Sequence, residues 1–405
     1  MRGISIIPEP VLFKETGGTF RLSGRTLIMA PEGECSDPAL FLAEQITAMS
    51  GFSLSIASGH GSADSISLCI DEGLMTHGAE AYRLVVSQEK ARMDGASGAG
   101  IMRAVATFLQ MVPVGDKKRS DPTEIPIPCA EILDYPRFPW RGMNFDCSRH
   151  FMTGDFVKRY IDLLALYKMN VLHWHLTDDQ GWRPEIRRHP RLTSVGAWRL
   201  DSEGSAYGGF YSHEDMKDIA AHAARRSIEI VPEIDLPGHC AAALAACPEL
   251  SCSGSAREVE SSWGIFEDLY CAGKEETFTF LADVFNEIMD VFPGRYIHIG
   301  GDECVKERWR RCPLCQERIR REGLRNETEL QGWFMNRIAA MMKRRGRSVI
   351  GWDEMLECGV PPGALVQSWR GTSGAVEAAR TGIETIVSPF EFTYFDYPVS
   401  VTGLE

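Results

Sequence analysis

From residue 140 onward the chain repeats one pattern: a short apolar run, a polar loop, then an amphipathic helix. Strands are expected at 141–145, 171–177, 228–234, 296–299, 348–352, 364–369 and 384–388. Helical periodicity fills the gaps at 155–167, 214–225, 277–291, 329–345 and 373–380. Strands joined through helices run parallel, because the helix carries the chain back to the starting edge. Chemistry-bearing residues sit past every strand, not one or two of them. That fits an α/β fold of the (β/α)8 TIM-barrel type better than an open doubly wound sheet. The strand count reaches seven. Nine residues remain after Asp396, too few for a further helix and strand, so the barrel is expected to lack its last strand and to be C-terminally incomplete.

Residues 1–130 obey a different rule. Short alternating runs at 26–29, 66–70 and 81–86 and helical patches at 39–49 and 100–111 predict a small α+β domain. The charged, proline-containing stretch 114–128 reads as a linker or edge excursion. The domain division expected is therefore 1–130 and 131–405. Ser212-x-x-Asp215 and Thr328-x-x-Gln331 have the form of capping boxes at two helix starts.

Composition excludes several classes of function. A net charge of -13 opposes binding to nucleic acid or to anionic membrane surfaces. No run approaches the ~18 apolar residues of a membrane span. The apolar part of the first residues is too short for a signal peptide, so a cytoplasmic location is expected. Twelve cysteines are scattered along the chain. Cys312-Pro-Leu-Cys315 has metal or redox spacing, but no second C-x-x-C or H-x-H lies near it in sequence. Structural thiols or a local disulfide are expected there, with no metal and no cofactor.

The residues just past the strand ends form a coherent set. Asp146-Cys-Ser-Arg-His-Phe151 comes after the first strand, which Arg141 opens. His175-Leu-Thr-Asp-Asp-Gln-Gly-Trp-Arg183 and Glu233-Ile-Asp-Leu-Pro-Gly-His239 end the next two. The fourth runs as Tyr296-Ile-His-Ile-Gly-Gly-Asp-Glu-Cys-Val305. Strand neighbours normally point to opposite faces. Gly300 and Gly301 can break that alternation and turn Asp302 and Glu303 into one pocket. Trp352-Asp-Glu354, Trp369-Arg370 and Tyr394-Phe-Asp396 complete the set. Aromatic faces beside carboxylates and an arginine make the composition of a sugar site. The rival reading is a metal site built from His173, His175, His239 and Asp302. The two strand histidines lie mid-strand, however, and read as barrel packing.

These residues also carry a resemblance. Arg137-Phe-Pro-Trp-Arg-Gly142, Asp146-Cys-Ser-Arg-His-Phe151, His173-Trp-His-Leu-Thr-Asp-Asp-Gln180, Asp235-Leu-Pro-Gly-His239 and His298-Ile-Gly-Gly-Asp-Glu303 resemble the β-N-acetylhexosaminidases of glycoside hydrolase family 20. Ile7-Pro-Glu-Pro10 and Tyr82-Arg-Leu84 resemble the non-catalytic domain of that family. The resemblance implies an exo-acting glycosidase that removes terminal N-acetylglucosamine or N-acetylgalactosamine from oligosaccharides or glycoconjugates. In that family the substrate's own acetamido oxygen is the nucleophile and an oxazolinium is the intermediate. The resemblance further implies Glu303 as general acid/base and Asp302 as the group that holds the acetamido arm. Tyr394 would bond the acetamido oxygen, and Arg141 and Asp396 would grip hydroxyls. Trp352 and Trp369 would wall the pocket. Asp178 and His239 would support the acid, with Asp179 the lesser partner. The competing readings are a two-carboxylate retaining glycosidase, with Asp396 as nucleophile, and an inactive sugar-binding fragment.

Overall fold

The computed structural model describes residues 5–59, 61, 63–113 and 123–396. Their contacts divide into two units. One holds the described residues up to Met143 with Asp155–Val171 and Ala221–Glu229; the other holds Asn144–Gly154, Leu172–Ala220 and the described residues from Ile230.

In the first unit the strands are β1 (Leu12–Ser23), β2 (Leu27–Met29), β3 (Ile56–Ala57), β4 (Ser65–Ile70), β5 (Tyr82–Val86), β6 (Lys90–Gly95) and β7 (Glu124–Asp134). They form one mixed sheet in the order β1-β7-β5-β6-β4-β2-β3. Helices α1 (Ser36–Ser50) and α2 (Gly98–Met111) bury their apolar faces, α2 almost all round. The α+β character is as read from the sequence, but β7 corrects the expected linker and continues past residue 130. Ile125 and Ile127 are buried while Pro126 and Pro128 alternate with them. Two prolines fit because β7 pairs there with β1 alone; β5 joins it only from Ala130 onward. The pairing of β1 with β7 sets Leu12 opposite Leu133.

The second sheet has seven strands: β8 (Gly142–Asp146), β9 (Val171–His175), β10 (Glu229–Leu236), β11 (Tyr296–Gly300), β12 (Ser348–Trp352), β13 (Leu365–Ser368) and β14 (Thr385–Val387). They lie in chain order, from β8 at one edge of the described sheet to β14 at the other. The pairs from β10 to β14 are parallel. The helices between strands are α3 (Gly154–Leu166), α4 (His213–Ala224), α5 (Glu275–Val291), α6 (Pro313–Glu322), α7 (Glu327–Lys343) and α8 (Ser373–Arg380). β9 is buried at every residue, as strands covered on both faces are. Thr277, Phe278, Leu281, Val284, Phe285 and Ile288 give α5 the i, i+3, i+4 stripe that faces a core. Ser212 and Asp215 do form a reciprocal cap on α4. The second expected cap is corrected. Asn326 caps α7 by accepting from the Glu329 N–H, and Thr328 lies inside the helix.

Candidate active site

The site begins where β11 ends. A Cβ at Gly300 would lie 1.6 Å from Asp235 Oδ1, so only glycine fits there, and its φ is +61°. Gly301 comes next, at φ +102°. Glu303 then takes φ +47° without being glycine, and so does His239 after β10. Left-handed backbone at such residues costs about 1–3 kcal/mol and persists only where the surroundings enforce it. Its effect is to aim both acids at one imidazole. His239 Nε2 lies 3.6 Å from Asp302 Oδ2 and 3.4 Å from Glu303 Oε2.

Behind His239 stands a chain of alternating charge. Its Nδ1 is 3.0 Å from Asp179 Oδ2 and 3.3 Å from Asp178 Oδ1. Both acids reach His239, Asp179 by the shorter bond, while the Asp178 charge has the larger effect on the ring. Asp178 turns its other oxygen to His175 Nε2 at 2.8 Å and to Arg149 Nη2 at 2.7 Å. Just past β9 a two-residue ladder pairs Thr177 with Trp182 and Asp178 with Gly181, and Asp178 and Asp179 are both fully buried. Burial disfavours the His239 cation, but the fields of Asp178 and Asp302 and bonds to Asp178 and Asp179 outweigh it and hold its pKa well above the usual histidine range. Burial would likewise raise Asp178, yet Arg149 and His239 hold it well below the usual carboxylate range. Asp302 goes the other way. Desolvation, with the fields of Glu233 and Asp178 added and that of His239 opposed, lifts its pKa from 3.8 to about 6.

Under the acids lies a carboxylate hub. Glu233 is fully buried and bonds His173 Nε2 at 2.8 Å, His298 Nδ1 at 2.8 Å and the Trp352 indole N–H at 3.1 Å; His175 Nδ1 reaches it too. The strand histidines thus serve as partners to a buried charge. Trp352 meets Trp369 edge to face, with centroids 6.5 Å apart. The Trp369 N–H donates to Glu354 Oε2 at 3.1 Å. Burial and the nearby Asp302 charge lift the Glu354 pKa to about 8. A cavity of about 320 Å³ opens here, lined by Gly301, Glu303, Lys306, Gln331, Glu354 and Ile265 among others. Gln331 is buried and donates to Gly301 O at 2.8 Å, which secures the turn carrying the acids.

Arg141 is not brought to this place. It precedes β8, at the strand's amino end, and its guanidinium bonds Glu80, Lys168 O and Phe138 O. Arg149 stands instead where Arg141 is expected, past the carboxyl end of β8, where it pairs with Asp146 and Asp178 and lies over the Trp263 ring. The signal is in the sequence: Arg149 comes after a strand and Arg141 opens one. Glu354 and Glu233 are placed at strand ends by the sequence but given no role there, and Gln331 is read only as part of a helix cap. Tyr394 is half-buried just past a one-turn helix, Phe390–Thr393, and Asp396 is exposed.

Paired acids, a histidine and indoles gathered past the carboxyl ends of successive parallel strands make the arrangement of the (β/α)-barrel glycosidases as a class. Comparison narrows this further. The glycosyl hydrolase family 20 catalytic domain matches residues 138–403, and family 20 domain 2 matches residues 3–135. The chain belongs to glycosyl hydrolase family 20. A β-hexosaminidase of Porphyromonas gingivalis is 40% identical over 96% of this chain and 50% of its own length. One of Vibrio furnissii is 35% identical over 97% and 64%. The chain thus spans half to two thirds of these two relatives. The Streptomyces plicatus β-hexosaminidase, solved as a mutant with its product GlcNAc, is 33% identical at a TM-score of 0.86, covering 98% of this chain and 76% of its own. The exo β-N-acetylglucosaminidase of Vibrio harveyi, solved with N-acetylglucosamine, is 32% identical at 0.85, covering 95% and 60%.

Proposed function

We propose that this chain is an exo-acting β-N-acetylhexosaminidase that releases terminal β-linked N-acetylhexosamine with retention, by substrate-assisted catalysis. The observation that carries it is the shared approach of Asp302 and Glu303 to His239 Nε2. Two carboxylates on one turn stand on one side of a bound sugar. A retaining enzyme with its own nucleophile needs the second acid ~5–5.5 Å away across the anomeric carbon. Asp302 is better placed to hold a group that attacks than to attack. In this reading Glu303 protonates the leaving oxygen and later activates water. Asp302 and Tyr394 hold and polarise the acetamido arm, so its oxygen closes on the anomeric carbon. The His239 cation, set by Asp178 and Asp179, offsets the negative charge of the pair. Arg149, with Asp396, holds hydroxyls, and Trp352 and Trp369 wall the sugar.

Glu303→Gln keeps the shape of the acid and removes its proton. General acid catalysis is worth ~10²–10⁴-fold, so kcat on an aryl N-acetyl-β-glucosaminide should fall within that range while KM changes little. A thiazoline mimic of the intermediate should bind the wild type tightly and Asp302→Ala weakly. Equal binding to both, or equal turnover of an aryl β-glucoside lacking the acetamido group, would remove substrate assistance and favour the two-carboxylate route.

A further inference from the structure

Four cysteines meet beside the site without taking part in it. Cys252 and Cys271 lie on the loop between β10 and α5; Cys312 caps α6 and Cys315 sits in its first turn. Their sulphurs all lie within 4.8 Å of one another. Cys271 is 3.6 Å from Cys315 and 3.8 Å from Cys312, and Cys252 is 3.8 Å from Cys315. A disulfide needs ~2.05 Å, and all four thiols are free, so of the two expected alternatives, structural thiols or a local disulfide, the disulfide is not formed. These spacings match a different object. Four sulphurs at ~2.3 Å from a central zinc, arranged tetrahedrally, stand ~3.8 Å apart.

We propose that Cys252, Cys271, Cys312 and Cys315 bind one structural zinc ion. The backbone is shaped for it. A Cβ at Gly273 would fall 2.3 Å from the Leu314 carbonyl carbon, so glycine alone lets the turn after Cys271 close on the Cys312–Cys315 turn. The Gly273 N–H bonds the Cys271 sulphur, and Cys312 and Cys315 stand together at the start of α6. Zinc displaces the thiol protons to solvent, with no change of oxidation state. No four-ligand site is visible in sequence because only Cys312 and Cys315 are neighbours there.

The consequence is local to the acid pair. Between Cys252 and Cys271 the loop contains no helix or strand longer than a single bridge. Yet its Ile265 lines the cavity with Glu303, and its Ser262 O accepts from Gln180. The ion would tie this loop to the segment just after Asp302 and Glu303, fixing one wall of the cavity.

The test is elemental analysis of the full chain, purified without chelator or immobilised metal. One zinc per chain is expected, released as an organomercurial titrates four thiols. Cys312→Ser with Cys315→Ser should lose the zinc and melt at a lower temperature. Should that variant not fold, exchange of cobalt into the wild type gives a second reading: intense visible bands with thiolate-to-cobalt charge transfer are expected. Wild-type protein that carries no zinc even after zinc is supplied, bound iron in its place, zinc retained by the double variant, or a weak octahedral cobalt spectrum would each overturn the proposal.

Discussion

Asp302 is buried with its charge, and under the role proposed for it that charge is set against the stability of the fold. Its pKa in the folded chain, about 6, lies above the ordinary 3.8 because burial penalises the charge. The proton therefore favours the folded state. That stabilisation is complete below about pH 4 and is lost as pH rises through about 6. At pH 7 the ionised side chain costs stability, on the order of a few kcal/mol. Asp302→Asn removes the charge and should raise Tm at pH 7 while leaving it nearly unchanged at pH 4. The same variant should lose most turnover, and the wild-type kcat/KM should fall below about pH 6 as the carboxylate protonates. Equal melting shifts at both pH values would show that Asp302 is not strained by its charge. Sequence alone singles out Asp302 and Glu303, because Gly300 and Gly301 before them let both acids turn to one side. It does not indicate that Asp178 and Asp179 both reach His239 Nδ1, since that depends on how the loop past β9 packs against the one past β10.

At the scale of elements, α7 carries both a stability device and a site device, and they are separable. Asn326 caps the helix; Gln331, within its second turn, reaches back to Gly301 O. Asn326→Ala should cost about 1 kcal/mol of stability with kcat unchanged. Gln331→Ala strands a buried carbonyl on the turn that carries Asp302 and Glu303, which should cost about 1–3 kcal/mol and lower kcat as well. Denaturant melts and steady-state kinetics on the two variants check this; matched losses of kcat in both would mean that the helix as a whole, and not Gln331, sets the turn. The barrel strands are legible because each is a compact apolar run between polar loops. The cap on α7 misleads because Thr328 and Gln331 have box spacing, while the competing Asn326 lies two residues earlier. Prolines that only a one-sided pairing tolerates hide β7.

Across the whole molecule, what matters is at which end of a strand a residue falls. Arg141 and Arg149 bracket β8, one at each end. Arg141 joins Arg103 around Glu80 within the first unit. Arg141→Met should therefore lower stability by about 1–3 kcal/mol and leave KM alone. Arg149→Lys keeps a charge but loses the planar fork. It should lower kcat/KM by about 10–100-fold, the worth of a charged hydrogen bond to substrate. Kinetics and melting on both variants decide the matter, and the opposite pattern would return Arg141 to the site. The fold class is readable from alternation of strand and helix; the sulphur cluster is not, because its members are brought together only by the loops after β10 and β11. Another long-range closure bears on synthesis. β1 finds its partner only when β7 has been made, since Leu12 lies opposite Leu133. At ribosomal speed that is a wait on the order of ten seconds. Throughout it the twelve residues that will form β1 lack their partner, and their backbone groups are open to pairing with other chains.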